Sequence, residues 1–151
     1  MKETAEDIAR EVLDVIPLAM RRIREEMRSR RGTDLTMVQF RTLLFLQRHP
    51  GAALRQVADH LGLTPPTVSK MINTLAVRGI LERPDSAADR RKVELRLTAR
   101  GDALIDRVRG ETVAKITQRL ERLAPEECEQ MFSALDLLRG VLREHGDGPV
   151  E

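Results

Sequence analysis

No tryptophan and no tyrosine occur among the 151 residues, and phenylalanine occurs three times, at Phe40, Phe45 and Phe132. Proteins that read single-stranded nucleic acid stack bases on aromatic faces, so this scarcity disfavours that class. A single cysteine, Cys128, excludes an intrachain disulfide and a multi-cysteine zinc site. The three histidines, His49, His60 and His145, are scattered without zinc-ligand spacing, and no cofactor is implied. No apolar run approaches the roughly 18 residues of a membrane span. The polar start, residues 1–7, lacks the apolar stretch of a secretion signal. No nucleophile–base pair, phosphate loop or metal cluster stands out, so an enzyme is not expected. These absences leave a soluble, cytoplasmic, mainly helical protein as the expectation.

Charge is plentiful, at 33% of residues, yet it nearly cancels to a net of +2. Its distribution is uneven. Residues 1–35 are neutral, residues 36–101 carry 11 basic and 5 acidic side chains, and residues 102–151 carry 7 basic and 11 acidic. A basic middle between neutral and acidic ends can attract a phosphate backbone locally even when the whole chain is almost balanced.

Hydrophobic periodicity supplies the elements. Ile8, Val12, Val15, Ala19, Ile23 and Met27 form a helical stripe, with a kink or break expected at Pro17, which cannot donate a backbone hydrogen bond. Residues 36–48 read as a second helix ended by Pro50-Gly51. A short helix follows, with Leu54, Val57, Ala58 and Leu61 on one face and Gly62 as its turn. Thr64 is a suitable N-cap and Pro65 a suitable first residue for the next helix, which places Val68, Met71, Ile72 and Leu75 on one face. Short helix, glycine turn and capped second helix make a helix-turn-helix. The period then changes to two: residues 80–83 and 93–97 read as strands flanking a polar loop, the arrangement of a wing.

Thr98 opens a long helix to about residue 123, and Pro125-Glu126-Glu127 opens another to about residue 144. The last helix carries the stripe Cys128, Met131, Phe132, Leu135, Leu138 and Leu142, so Cys128 is expected as a buried, inert thiol. Gly110 and Gly140 lie inside these helices, either without consequence or as points of close helix crossing.

This order of elements resembles the MarR (multiple antibiotic resistance regulator) family of winged helix-turn-helix transcription factors over about residues 5–144. The wing run Arg83-Pro84-Asp85-Ser86-Ala87-Ala88-Asp89-Arg90-Arg91, followed by Leu97-Thr98-Ala99-Arg100-Gly101, carries the most specific part of the likeness. Pro66-Thr67-Val68-Ser69-Lys70 is similar to the start of the family's recognition helix. The resemblance implies a mainly α fold with a small β wing. Residues 36–101 would be the DNA-binding domain, residues 1–35 and 102–146 a helical dimerisation region, and residues 147–151 a flexible tail.

It further implies a homodimer binding a pseudo-palindromic double-stranded operator, as a repressor released by a small anionic or phenolic effector. Pro65, Pro66, Thr67, Ser69, Lys70, Asn73 and Thr74 would face the major groove, with the proline rings suited to a thymine methyl. Arg55, Gln56, Arg90 and Lys92 would hold phosphates. Arg91, aimed by Asp89, would enter the minor groove. Met20, Ile23, Arg24, Met27, Phe40 and Leu44 are candidates for the effector site, with ordinary core packing as the alternative. The lack of tryptophan departs from the family's urate-responsive branch. The histidine spacing departs from its zinc-sensing branch, and the position of Cys128 from its peroxide-sensing branch. A winged-helix protein-interaction module without operator binding is the alternative function. The intact Asp89-Arg90-Arg91 run and the basic middle argue against it.

Overall fold

A computed structural model of the chain describes residues 3–28, 35–82 and 94–143, which divide into two compact units, residues 1–112 and 113–151. In chain order the elements are α1 (Ala5–Arg28), α2 (Met37–Arg48), β1 (Ala52–Ala53), α3 (Leu54–Leu61), α4 (Pro65–Val77), β2 (Leu81–Glu82), β3 (Glu94–Leu97), α5 (Ala99–Leu120) and α6 (Pro125–Arg143). The expected fold class is what is found: mainly helical, with a small winged sheet.

Thr4 opens α1. Its N–H donates to Asp7 Oδ2 at 2.9 Å, and the Asp7 N–H donates to Thr4 Oγ1 at 3.2 Å. The Thr4 hydroxyl, followed by its backbone N–H, holds the Asp7 carboxyl below the usual carboxylate range. Of the kink or break expected at Pro17, the break does not occur, because α1 runs through it as one helix of 24 residues. Pro17 removes the amide that the Leu13 carbonyl would accept, and Leu13 is exposed, so water can take the place of that bond.

A reciprocal capping box starts α2. The Gln39 N–H donates to Thr36 Oγ1 at 3.2 Å, and the Thr36 N–H donates to Gln39 Oε1 at 3.0 Å. Thr36→Ala leaves the Gln39 N–H to water while the bond from the residue-36 N–H to Gln39 Oε1 survives, and is expected to cost about 1 kcal/mol, measured by urea unfolding.

The core of the first unit gathers one face of each element around the helix-turn-helix. Leu43 and Leu46 of α2, Val57 and Ala58 of α3, and Val68, Ile72 and Leu75 of α4 are all buried, together with Ile80, Leu95 and Ile105. Met71 and Leu54 pack against this cluster from its edge. Burying such side chains stabilises by roughly 1.5–3 kcal/mol each, so these three- and four-residue spacings set the angle between α3 and α4. Across the unit, Gln47 Nε2 donates to Asp106 Oδ1 at 2.8 Å, tying α2 to α5.

The sheet has three antiparallel strands in the order β1-β3-β2, one more than the two read from the sequence. Ala52 pairs with Leu95 and Ala53 with Glu94, while Leu81 pairs with Leu97 and Glu82 with Arg96. Two alanines carry no alternation, which is why β1 has no sequence signal. Its pairing fixes the wing's base to the start of α3.

In the second unit, α6 has no buried residue, and Cys128 is exposed rather than buried as expected. The apolar stripe on which that expectation rested is real, but none of it is buried: Leu138 is half-buried and the rest is exposed. Among the described residues nothing stands within 4 Å of a Cβ added at Gly110 or Gly140, so neither glycine marks a close helix crossing among them.

Candidate nucleic-acid interface

The turn from α3 to α4 is closed by backbone hydrogen bonds. The Leu63 N–H donates to the Ala58 carbonyl at 3.0 Å and the Gly62 N–H to the Asp59 carbonyl at 3.2 Å, with Gly62 left-handed at φ 67. This is the Schellman pattern, and it ends α3 so that α4 can leave at a new angle. Thr64 takes the N-cap position, extended at φ −73 and ψ 147, but its side chain caps no amide. Pro66 at the second helical position has no N–H to offer, and the Thr64 hydroxyl instead pairs with the Thr67 hydroxyl at 2.8 Å.

With Val68, Ile72 and Leu75 facing the core, the other side of α4 faces solvent. Pro65, Pro66, Thr67, Lys70, Asn73 and Thr74 are exposed and Ser69 is half-buried, so all seven major-groove candidates share one accessible region. Two hydroxyls are already engaged: Thr67 with Thr64, and Thr74, which donates to the Lys70 carbonyl at 3.1 Å. Lys70 therefore offers an ammonium and Thr67 and Thr74 offer methyl groups, beside the two pyrrolidine rings.

Arg55 is exposed on the first turn of α3, where the helix terminus carries partial positive charge. Gln56 is more constrained, because its Oε1 accepts the Ala53 N–H at 2.8 Å, which ends β1 and starts α3. Its NH₂ is the group able to reach a phosphate. Asp89, Arg90, Arg91 and Lys92 lie outside the described residues.

The base of the wing includes a residue the sequence reading passed over. Arg96 Nη2 lies 3.1 Å from Glu94 Oε2 on the exposed face of β3. Arg96 also covers Gly51, where an added Cβ would stand 3.0 Å from its Nη2. The alternation of residues 93–97 was the available signal, since it puts Glu94 and Arg96 on the same face.

The effector candidates do not stand apart from the core. Met27 and Phe40 are buried, Met20, Ile23 and Leu44 pack against the same cluster, and Arg24 is exposed. His49 and His60, unrelated by spacing, are brought to the same ring: their centroids lie 4.6 and 4.5 Å from that of Phe45.

Helix, turn, helix and a three-stranded wing define a winged helix-turn-helix protein. Residues 33–92 match the family model described as MarR family. The HTH-type transcriptional repressor Rv2887 of Mycobacterium tuberculosis is 33% identical over 96 residues, spanning 63% of this chain and 69% of that protein. The chain belongs to the MarR family. Among solved structures, Rv1404 of M. tuberculosis superposes with a TM-score of 0.77 at 24% identity, covering 93% of this chain and 95% of that one. FabT of Streptococcus pneumoniae, solved in complex with DNA, gives a TM-score of 0.72 at 23% identity over 93% and 99% of the two chains. Rv2887 in complex with salicylic acid gives 0.65 at 24% identity over 91% and 97%. No helix among the described residues is long and apolar enough to cross a membrane.

Proposed function

We propose that the protein is a cytoplasmic, homodimeric, sequence-specific repressor that binds a pseudo-palindromic duplex operator and releases it on binding a small anionic or phenolic effector. The observation that carries this reading is α4 itself. One side is locked into the core and the other presents seven polar or proline residues, on a segment whose net charge is strongly positive. A duplex reader needs that combination, a rigid helix with an accessible face and phosphate-attracting charge around it. Membership of the family and the likeness to FabT, solved with DNA, support it.

In this reading Pro65, Pro66, Thr67, Ser69, Lys70, Asn73 and Thr74 face the major groove, and Arg55 and Gln56 hold phosphate at the start of α3. Arg90 and Lys92 also meet the backbone, while Arg91, steadied by Asp89, enters the minor groove, where a narrow groove concentrates negative potential. Residues 36–101 act as the DNA-binding domain, and residues 1–35 and 102–146 as the dimerisation region. The exposed apolar side chains of α1 and α6 support a second copy as the partner. Salicylic acid bound to Rv2887 supports an aromatic carboxylate as effector. The residues proposed to meet it are Met20, Ile23, Arg24, Met27, Phe40 and Leu44.

The test is selection of duplexes from a random-sequence library, followed by titration of the enriched duplex at stepped salt. Affinity is expected to fall steeply as salt rises, because each phosphate contact releases counterions. Arg91→Ala is expected to weaken binding more than about tenfold at matched salt. Unchanged binding would remove Arg91 from the interface, and failure to enrich any duplex would overturn the function.

A further inference from the structure

The junction between α4, the wing and α5 is built from backbone contacts with almost no side chain between them. After Val77 the chain turns through Gly79, left-handed at φ 70. The Ile80 N–H donates to the Leu75 carbonyl at 3.0 Å and the Gly79 N–H to the Ala76 carbonyl at 2.9 Å, closing α4 in a second Schellman pattern. Glycine occupies that left-handed position at no steric cost. The carbonyls of Gly79 and Ile80 are then met from the other end of the wing by one residue, Thr98. Its Oγ1 donates to the Gly79 carbonyl at 2.7 Å, and its N–H donates to the Ile80 carbonyl at 3.1 Å. The same oxygen accepts the Gly101 N–H at 3.0 Å, so it also caps the first turn of α5. Gly101 permits the approach: an added Cβ would stand 2.2 Å from the Ile80 oxygen.

One hydroxyl thus joins three elements, the end of α4, the root of the wing and the start of α5. We propose that Thr98 is a positioning residue for DNA recognition, fixing α4 and the wing to α5 as one rigid piece. This inference rests on the duplex-binding function above. An interface that reads bases tolerates little misorientation of its helix, whereas random-sequence binding depends on charge and is indifferent to small tilts. Loosening the junction should therefore reduce discrimination more than it reduces adhesion to DNA.

The test compares the wild-type chain with Thr98→Val, which keeps the shape but removes the hydroxyl, and Thr98→Ser, which keeps the hydroxyl. Ile105→Val, a buried change one turn along α5 from Gly101 that leaves the Thr98 hydroxyl and its partners in place, serves as a variant of reduced stability. Two readouts are taken at a temperature where circular dichroism shows every variant folded. The first is affinity for the enriched duplex and for random-sequence duplex. The second is the distance distribution between spin labels at Lys70→Cys and Arg109→Cys in a Cys128→Ser background. These labelled chains are diluted with unlabelled chain so that within-chain pairs dominate.

Thr98→Val is expected to lower enriched-duplex affinity about tenfold, with random duplex changed less than about twofold, and to broaden the distance distribution. Thr98→Ser is expected to restore both. An unchanged affinity ratio, an unchanged distribution, or the same changes in Ile105→Val would overturn the proposal. If the wild-type chain enriches no duplex, the proposed function fails by that result, while the distance distribution still decides whether Thr98 holds the junction.

Discussion

Gly101→Ala is expected to destabilise the protein by about 3 kcal/mol, near the upper end for inserting a methyl group where there is no room. For a chain of this size the thermal midpoint should fall by about 6–12 °C, measured by circular dichroism. The obstacle is a backbone oxygen, that of Ile80, which would lie 2.2 Å from the new carbon. A flexible side chain could rotate away, but this carbonyl already accepts the Thr98 N–H and cannot move without breaking that bond. Gly110→Ala is the internal comparison, made in the same helix. Among the described residues nothing stands within 4 Å there, so alanine should be neutral or stabilise by up to about 1 kcal/mol through its higher helix propensity. A fall of less than about 2 °C for Gly101→Ala would show that α5 and Ile80 separate easily.

The second large effect concerns assembly. Phe132 is 72% exposed and Leu137 73%, on a helix of 19 residues that buries no side chain. Most of a helix's stability in a protein comes from packing an apolar face rather than from propensity. Phe132→Glu places a charge where a second copy is proposed to dock, and burying an unpaired carboxylate is costly. Sedimentation is expected to show the wild type as a dimer at micromolar concentration and Phe132→Glu as a monomer. Operator affinity should fall by about a hundredfold or more, because two half-sites can no longer be engaged by one particle. A Phe132→Glu chain that sediments as the wild type does would place the dimer interface elsewhere.

The sequence disclosed the elements whose periodicity is carried by side chains meeting their own core. The stripe Val68, Met71, Ile72 and Leu75 defined α4, and the alternation after residue 93 defined β3. Features made by tertiary approach were not legible. Gly101 and Gly110 look alike in a helical run, and only the position of the Ile80 carbonyl separates them. Thr98 could be read as a helix cap, but not as the partner of Gly79. Strand β1 is two alanines, recognisable only through Leu95 and Glu94 opposite. The stripe ending at Leu142 was visible, yet periodicity reports that a face is apolar without reporting whether the same chain covers it. That is why Cys128, expected to be buried, is exposed. The same limit applies to α4: spacing marked its accessible side but did not reveal that the Thr67 and Thr74 hydroxyls already have partners.

That α6 buries nothing within its own chain ties thermal stability to abundance. Where a second copy covers the face, association and folding of this segment are linked by mass action. The melting temperature should then rise with protein concentration, and a truncation or charge in α6 should lower it as dilution does. A cell that makes few copies would hold the protein partly unassembled, so the dose of the gene product becomes a variable in its own structure.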